Sequence, residues 1–151
     1  IGKKMIHTGD TGTQWGIGKE ELMERISESA KATADHFGDH IAYINVLRNM
    51  SVSCDCEGTA AQPVVTPNIG ILASTDILAA DQASVDLVYA LPEKYRHDLV
   101  ERMETRHGLR QLSYMKELGM GCDRYVILDM DHGDMPITLA EAVKNVKPFK
   151  A

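Results

Sequence analysis

The short apolar run Ile69-Gly70-Ile71-Leu72-Ala73-Ser74, the polar pair Thr75-Asp76 and the helical pattern behind them leave this chain little choice of architecture. A run of this length bounded by turn signals suits a strand, and an aspartate just before a periodic apolar segment caps a helix. The helix is expected from Ile77 to about Leu91, with Ala80, Ser84, Leu87, Val88 and Leu91 on its inner face. Strand, cap and helix together form the repeating unit of an α/β protein.

The remaining elements fit around that unit. Leu22, Ile26, Ala30, Ala34 and Phe37 recur at helical spacing over Lys19 to Phe37, and Glu20 and Glu21 stand at the positive end of that helix dipole. Gly38-Asp39 ends the helix, and Ile41 to Leu47 reads as an apolar strand of the kind buried inside a mixed or parallel sheet. Pro92 opens a helix carrying Tyr95, Leu99 and Met103, and another runs from about Leu109 to Leu118 and stops at Gly119-Met120-Gly121. Tyr125, Ile127 and Asp129 alternate with Val126, Leu128 and Met130 in a strand from Arg124 to Met130, and Thr138 caps a short helix through Val146. The pattern predicts one α/β domain over residues 19–151, with a mixed sheet of three or more strands covered by helices.

Residues 1–18 are read as a lead-in loop, because Gly9, Gly12, Gly16 and Gly18 fall within ten positions; Trp15 is expected to anchor it on the core. Its glycines match neither the dinucleotide fingerprint nor the phosphate-binding loop. The chain opens without methionine and without a signal-peptide apolar region, and is read as the C-terminal part of a longer protein. At 151 residues with 44% hydrophobic content the length suits one core. Twenty-two acids against 16 bases give a net charge of -6, with no basic stripe to hold nucleic acid. No apolar run approaches the ~18 residues of a membrane span, and three cysteines make no secreted disulfide framework, so a cytoplasmic protein is expected.

Chemistry concentrates in Arg48 to Asn68, a segment without helical or alternating pattern that carries Cys54-Asp55-Cys56. About 20 residues without regular structure are unusual inside a compact domain, and such loops are commonly functional. Pro63 and Pro67 give it an extended course. Two thiolates one residue apart are soft ligands, able to hold zinc or cluster iron if other groups complete the coordination; two buried, inert cysteines are the plain alternative. A Cys54–Cys56 disulfide would be strained, since the bridge wants Cα atoms near ~5.5 Å apart.

If the strands before Cys54 and Asp76 run parallel, both residues emerge at the carboxyl edge of the sheet, where open α/β sheets place ligands. Asp76 and Asp81 are therefore candidate partners of the thiols. Asp81 is expected to be partly buried against the Cys-Asp-Cys backbone or a cation held there. His7, His97, His107 and His132 are dispersed among charges and are expected on the surface without a shared ligand. Asp129, Asp131 and Asp134 with His132 lack calcium-loop spacing and read as a solvated turn.

Three stretches together resemble an uncharacterised iron-sulfur-centre protein family, a domain of unknown function commonly joined to a ferredoxin-like segment with two four-iron clusters. They are Tyr43 to Gly58 with its Cys-Asp-Cys, Pro67 to Asp76 running on through Asp81 to Val88, and Tyr114-Met115-Lys116-Glu117-Leu118-Gly119-Met120-Gly121. The resemblance implies an iron-sulfur cofactor and a ferredoxin-like segment or redox partner protein. The chain departs from it twice. Ile77 stands where the family usually has proline, and the ferredoxin pattern Cys-x-x-Cys-x-x-Cys-x-x-x-Cys-Pro is absent.

Three functions are open on these grounds. One is a redox-associated module in which Cys54 and Cys56 hold a soft metal or help seat a cluster. A second is a metal-dependent enzyme, with the same thiols and Asp76 or Asp81 around an open coordination position. The third is a ligand-binding or scaffold domain with inert cysteines.

Overall fold

The computed structural model describes residues 19–53 and 61–148. The elements run α1 (Lys19–Phe37), β1 (Tyr43–Leu47), β2 (Gly70–Ser74), α2 (Ile77–Ala90), α3 (Glu93–Thr105), α4 (Arg110–Glu117), β3 (Ile127–Asp129), a 3₁₀ turn (Met130–His132), β4 (Met135–Ile137) and α5 (Leu139–Val143). The α/β class is as expected, and α1 has the expected bounds.

The expected sheet is not formed. Among the described residues the strands make two separate two-stranded sheets, β1 with β2 and β3 with β4. Both pairs are antiparallel, with Tyr43 opposite Ser74 and Leu47 opposite Gly70 in the first, and Ile127 opposite Ile137 in the second. β3 is shorter than the alternation of Arg124 to Met130 suggested, because the ladder exists only where β4 pairs with it. The two alternating sets are nevertheless the expected ones, and the structure assigns their faces: Tyr125, Ile127 and Asp129 are half-buried, whereas Val126, Leu128 and Met130 are exposed.

α2 is the centre of the molecule. Leu78, Ala80, Ala83, Leu87 and Val88 are buried on it. Leu87 joins Leu47, Leu91 and Val143 in one cluster, onto which Leu72 of β2, Ile127 of β3 and Leu139 of α5 also pack. The first sheet therefore lies on α2, and Ile127 brings the second to the same cluster.

α1 packs along α4 through Leu22, Met23 and Met115, all buried. The buried Ser27 hydroxyl is satisfied by the Met23 carbonyl of its own helix at 3.1 Å. At the rim Arg110 donates to Glu24 at 2.7 Å and to Glu117 at 2.6 Å, which holds the guanidinium pKa above its usual value. The second half of α1 extends past this contact, so that Phe37 is exposed although it continues the apolar stripe.

α5 begins with a full capping box: the Thr138 hydroxyl accepts from Glu141 N at 3.2 Å, and the Glu141 carboxylate accepts from Thr138 N at 2.8 Å. The helix ends at Val143, three residues before the expected Val146.

Candidate functional site

Arg48 N donates to Val46 O, and Asn49 takes a φ of 51°, a left-handed conformation that asparagine tolerates. This turns the chain out of β1 into the cysteine segment. Its two legs are held together at two levels. Asn49 N donates to Asn68 Oδ1 at 2.8 Å, and higher up Gln62 N donates to Ser53 Oγ at 2.8 Å. The returning leg is anchored by Thr66 and Pro67, both buried. Cys54, Asp55 and Cys56 lie outside the described residues, and so do His7 and Trp15. The described parts form a closed stem, and that stem delivers the Cys-Asp-Cys segment from the Leu47/Gly70 end of the hairpin.

Asp76 stands at the other end. Because β1 and β2 are antiparallel rather than parallel, the cysteine stem leaves beside Gly70 and Asp76 follows Ser74, four register steps away. At about 3.4 Å per residue this is roughly 14 Å along the hairpin. The parallel orientation of the two strands, on which the expected meeting of Cys54, Cys56 and Asp76 at one carboxyl edge was conditioned, is thereby corrected.

What Asp76 does is structural. As expected it is the N-cap of α2, with Oδ1 accepting from Ala79 N at 2.9 Å. Its second oxygen accepts from Cys122 N at 2.8 Å, tying the start of α2 to the turn between α4 and β3. Gly121, with φ +150°, makes the approach possible, since a Cβ there would fall 1.9 Å from Asp76 Oδ1. Asp76→Ala removes both bonds and is expected to lower stability by about 2 kcal/mol, measurable by urea unfolding. Sequence reasoning took Gly121 only as a helix stop and missed this clasp, which joins two of the stretches that carry the family resemblance.

Asp81 is half-buried as expected, with a different partner. Its Oδ1 accepts from Asn45 Nδ2 at 2.7 Å, and the same amide lies 2.9 Å from Ser84 Oγ. Asn45 is the only polar side chain in the Tyr43–Leu47 strand that points inward beside apolar neighbours apart from Tyr43, and a polar residue inside an apolar strand was the available signal. A second inter-element bond runs from Tyr125 Oη to Asp86 Oδ2 at 2.6 Å. Burial, followed by that bond, raises the Tyr125 pKa well above the tyrosine range.

His97, His107 and His132 are exposed, and each meets a different carboxylate: Asp98 at 2.9 Å, Glu20 at 3.2 Å and Asp129 at 2.7 Å. The Asp129 bond raises the His132 pKa, and that of Asp129 is lowered in return. Asp129, Asp131 and Asp134 form a turn, as expected: Asp129 Oδ1 accepts from Asp131 N, and Asp134 N donates to Asp129 O. Among the described residues no group of three His, Cys, Asp or Glu side chains is placed to hold a metal ion. None of their helices is long and apolar enough to cross a membrane.

Beside β2 lies a cleft of about 1170 Å³. Ile69 to Ser74 line it on one side and Tyr125 to Asp131 on another, with Ala79, Ala80 and Ala83 contributed by α2.

Fold and stem together define an α/β protein in which the chain stretch containing Cys54 and Cys56 is inserted between two antiparallel strands. The chain belongs to the family described as Domain of unknown function (DUF362), whose model matches residues 1–86, a span that includes the hairpin, the cysteine loop and most of α2. No curated protein and no solved structure matches the chain.

Proposed function

We propose that this chain is a redox-associated metal-binding module in which Cys54 and Cys56, with Asp55 between them, offer two thiolates to a soft divalent ion such as zinc or to the iron of a cluster. The observation that carries this reading is the doubly closed stem, Asn49 to Asn68 and Ser53 to Gln62, which gives the two thiols a fixed point of departure. A loop held at its base loses less conformational entropy when its tip binds an ion.

The donor set limits what can be held. A four-iron cluster takes four cysteine ligands, and this chain has three cysteines. The third, Cys122, follows Gly121 at the Asp76 end of the hairpin, away from the stem. Asp76 and Asp81 serve the fold through Cys122, Ala79 and Asn45 and are not counted as ligands here. Two thiolates from one copy therefore call for completion by groups beyond these residues, in keeping with a ferredoxin-like segment or redox partner.

Protein purified without oxygen and analysed for zinc and iron by mass spectrometry tests the reading. Wild type and Cys122→Ser are expected to retain the same metal, and Cys54→Ser and Cys56→Ser each to lose most of it. Metal-free wild-type protein in every preparation would favour the second reading, a binding domain that works through the cleft beside β2.

A further inference from the structure

β2 pairs on one side only, and so does β3; among the described residues neither strand has a partner on its second edge. Residues of both line the same cleft. Leu72 and Ile127 pack on one buried cluster, so both sheets reach the same part of the core. An unpaired edge is a template for another strand, because its N–H and C=O groups need partners that water supplies less well once the site is covered.

We infer that this cleft receives an extended, basic segment of a partner polypeptide, which adds as a strand between β2 and β3 and joins the two small sheets into one. Two observations carry the inference beyond the free edges. α2 presents Ala79, Ala80 and Ala83 there, small side chains that leave room for those of an incoming strand. Among the described residues, every charged one lining the cleft is acidic, namely Asp129, Asp131, Asp134 and Glu141, so the site complements lysine or arginine. The inference does not depend on metal binding, since the strand residues it uses, Ile69 to Ser74 and Tyr125 to Asp131, include no cysteine.

The probe is a blocked heptapeptide, Lys-Val-Thr-Val-Thr-Val-Lys, added to the full chain and followed by calorimetric titration and amide hydrogen exchange. Saturating peptide is expected to slow exchange about tenfold in both β2 and β3. The same peptide N-methylated at alternate residues, or with glutamate for lysine, should bind about tenfold more weakly, and the Asp131→Asn, Asp134→Asn double variant should weaken the lysine peptide several-fold. Unchanged exchange at millimolar peptide, or equal binding of the N-methylated form, would overturn the inference. So would slow exchange, without peptide, of the β2 amides that do not face β1: if their protection rises with protein concentration the edge belongs to a second copy, and if it does not, to the chain itself.

Discussion

Gly121→Ala is expected to destabilise the protein by about 3 kcal/mol, lowering the thermal midpoint by roughly 10 °C. Two costs combine. The φ of +150° is one that alanine adopts only with strain, and the new Cβ would stand 1.9 Å from Asp76 Oδ1. The carboxylate must move, and in moving it loses the bonds from Ala79 N and Cys122 N that cap α2 and hold the α4–β3 turn against it. Gly119→Ala is the control. Its φ of +68° carries the backbone penalty, but nothing lies within 4 Å of the added carbon, and a loss of about 1 kcal/mol is expected. The double variant Asp76→Ala, Gly121→Ala separates clash from backbone strain: with the carboxylate gone, the combined loss should fall short of the sum of the single losses.

Leu87→Ala is expected to cost about 3 kcal/mol in chemical denaturation. Leu87 is 2% exposed and packs with Leu47 of β1, Leu91 at the end of α2 and Val143 of α5. Truncation leaves a cavity where three elements meet, and none can close it without leaving the others. Leu128→Ala changes the same atoms on a side chain that is 51% exposed, and should shift stability by no more than about 0.5 kcal/mol. A large effect at Leu128 would mean that the outer face of β3 is covered in solution.

Local chemistry was legible in the sequence, and pairing was not. The Lys19–Phe37 helix, the Asp76 cap and the Thr138 cap follow from periodicity and side-chain hydrogen bonding within a few residues. The direction of β1 against β2 does not, because an apolar run suits either orientation and the two strands are joined by the long cysteine segment, not by a short hairpin turn with its own signature. β4 was missed because Met135-Pro136-Ile137 is short and contains proline, which argues against a strand except at an edge; Pro136 opposite Leu128 is such a case.

The site divides in the same way. Asp76 was found as a cap, but its bond to Cys122 N spans 46 positions of sequence and has no local signature. Asp81 was singled out as half-buried, and the partner it has among the described residues is Asn45, 36 positions earlier. The thiols stand out by residue type alone, and what the fold adds to them is the stem.

X-ray absorption at the edge of the metal retained by oxygen-free protein tests the thiolate proposal most directly. Two sulfur ligands at about 2.3 Å are expected for zinc in wild type and in Cys122→Ser, falling to one in Cys54→Ser or Cys56→Ser. A first shell of nitrogen and oxygen alone, or a sulfur count unchanged by both serine substitutions, would contradict it.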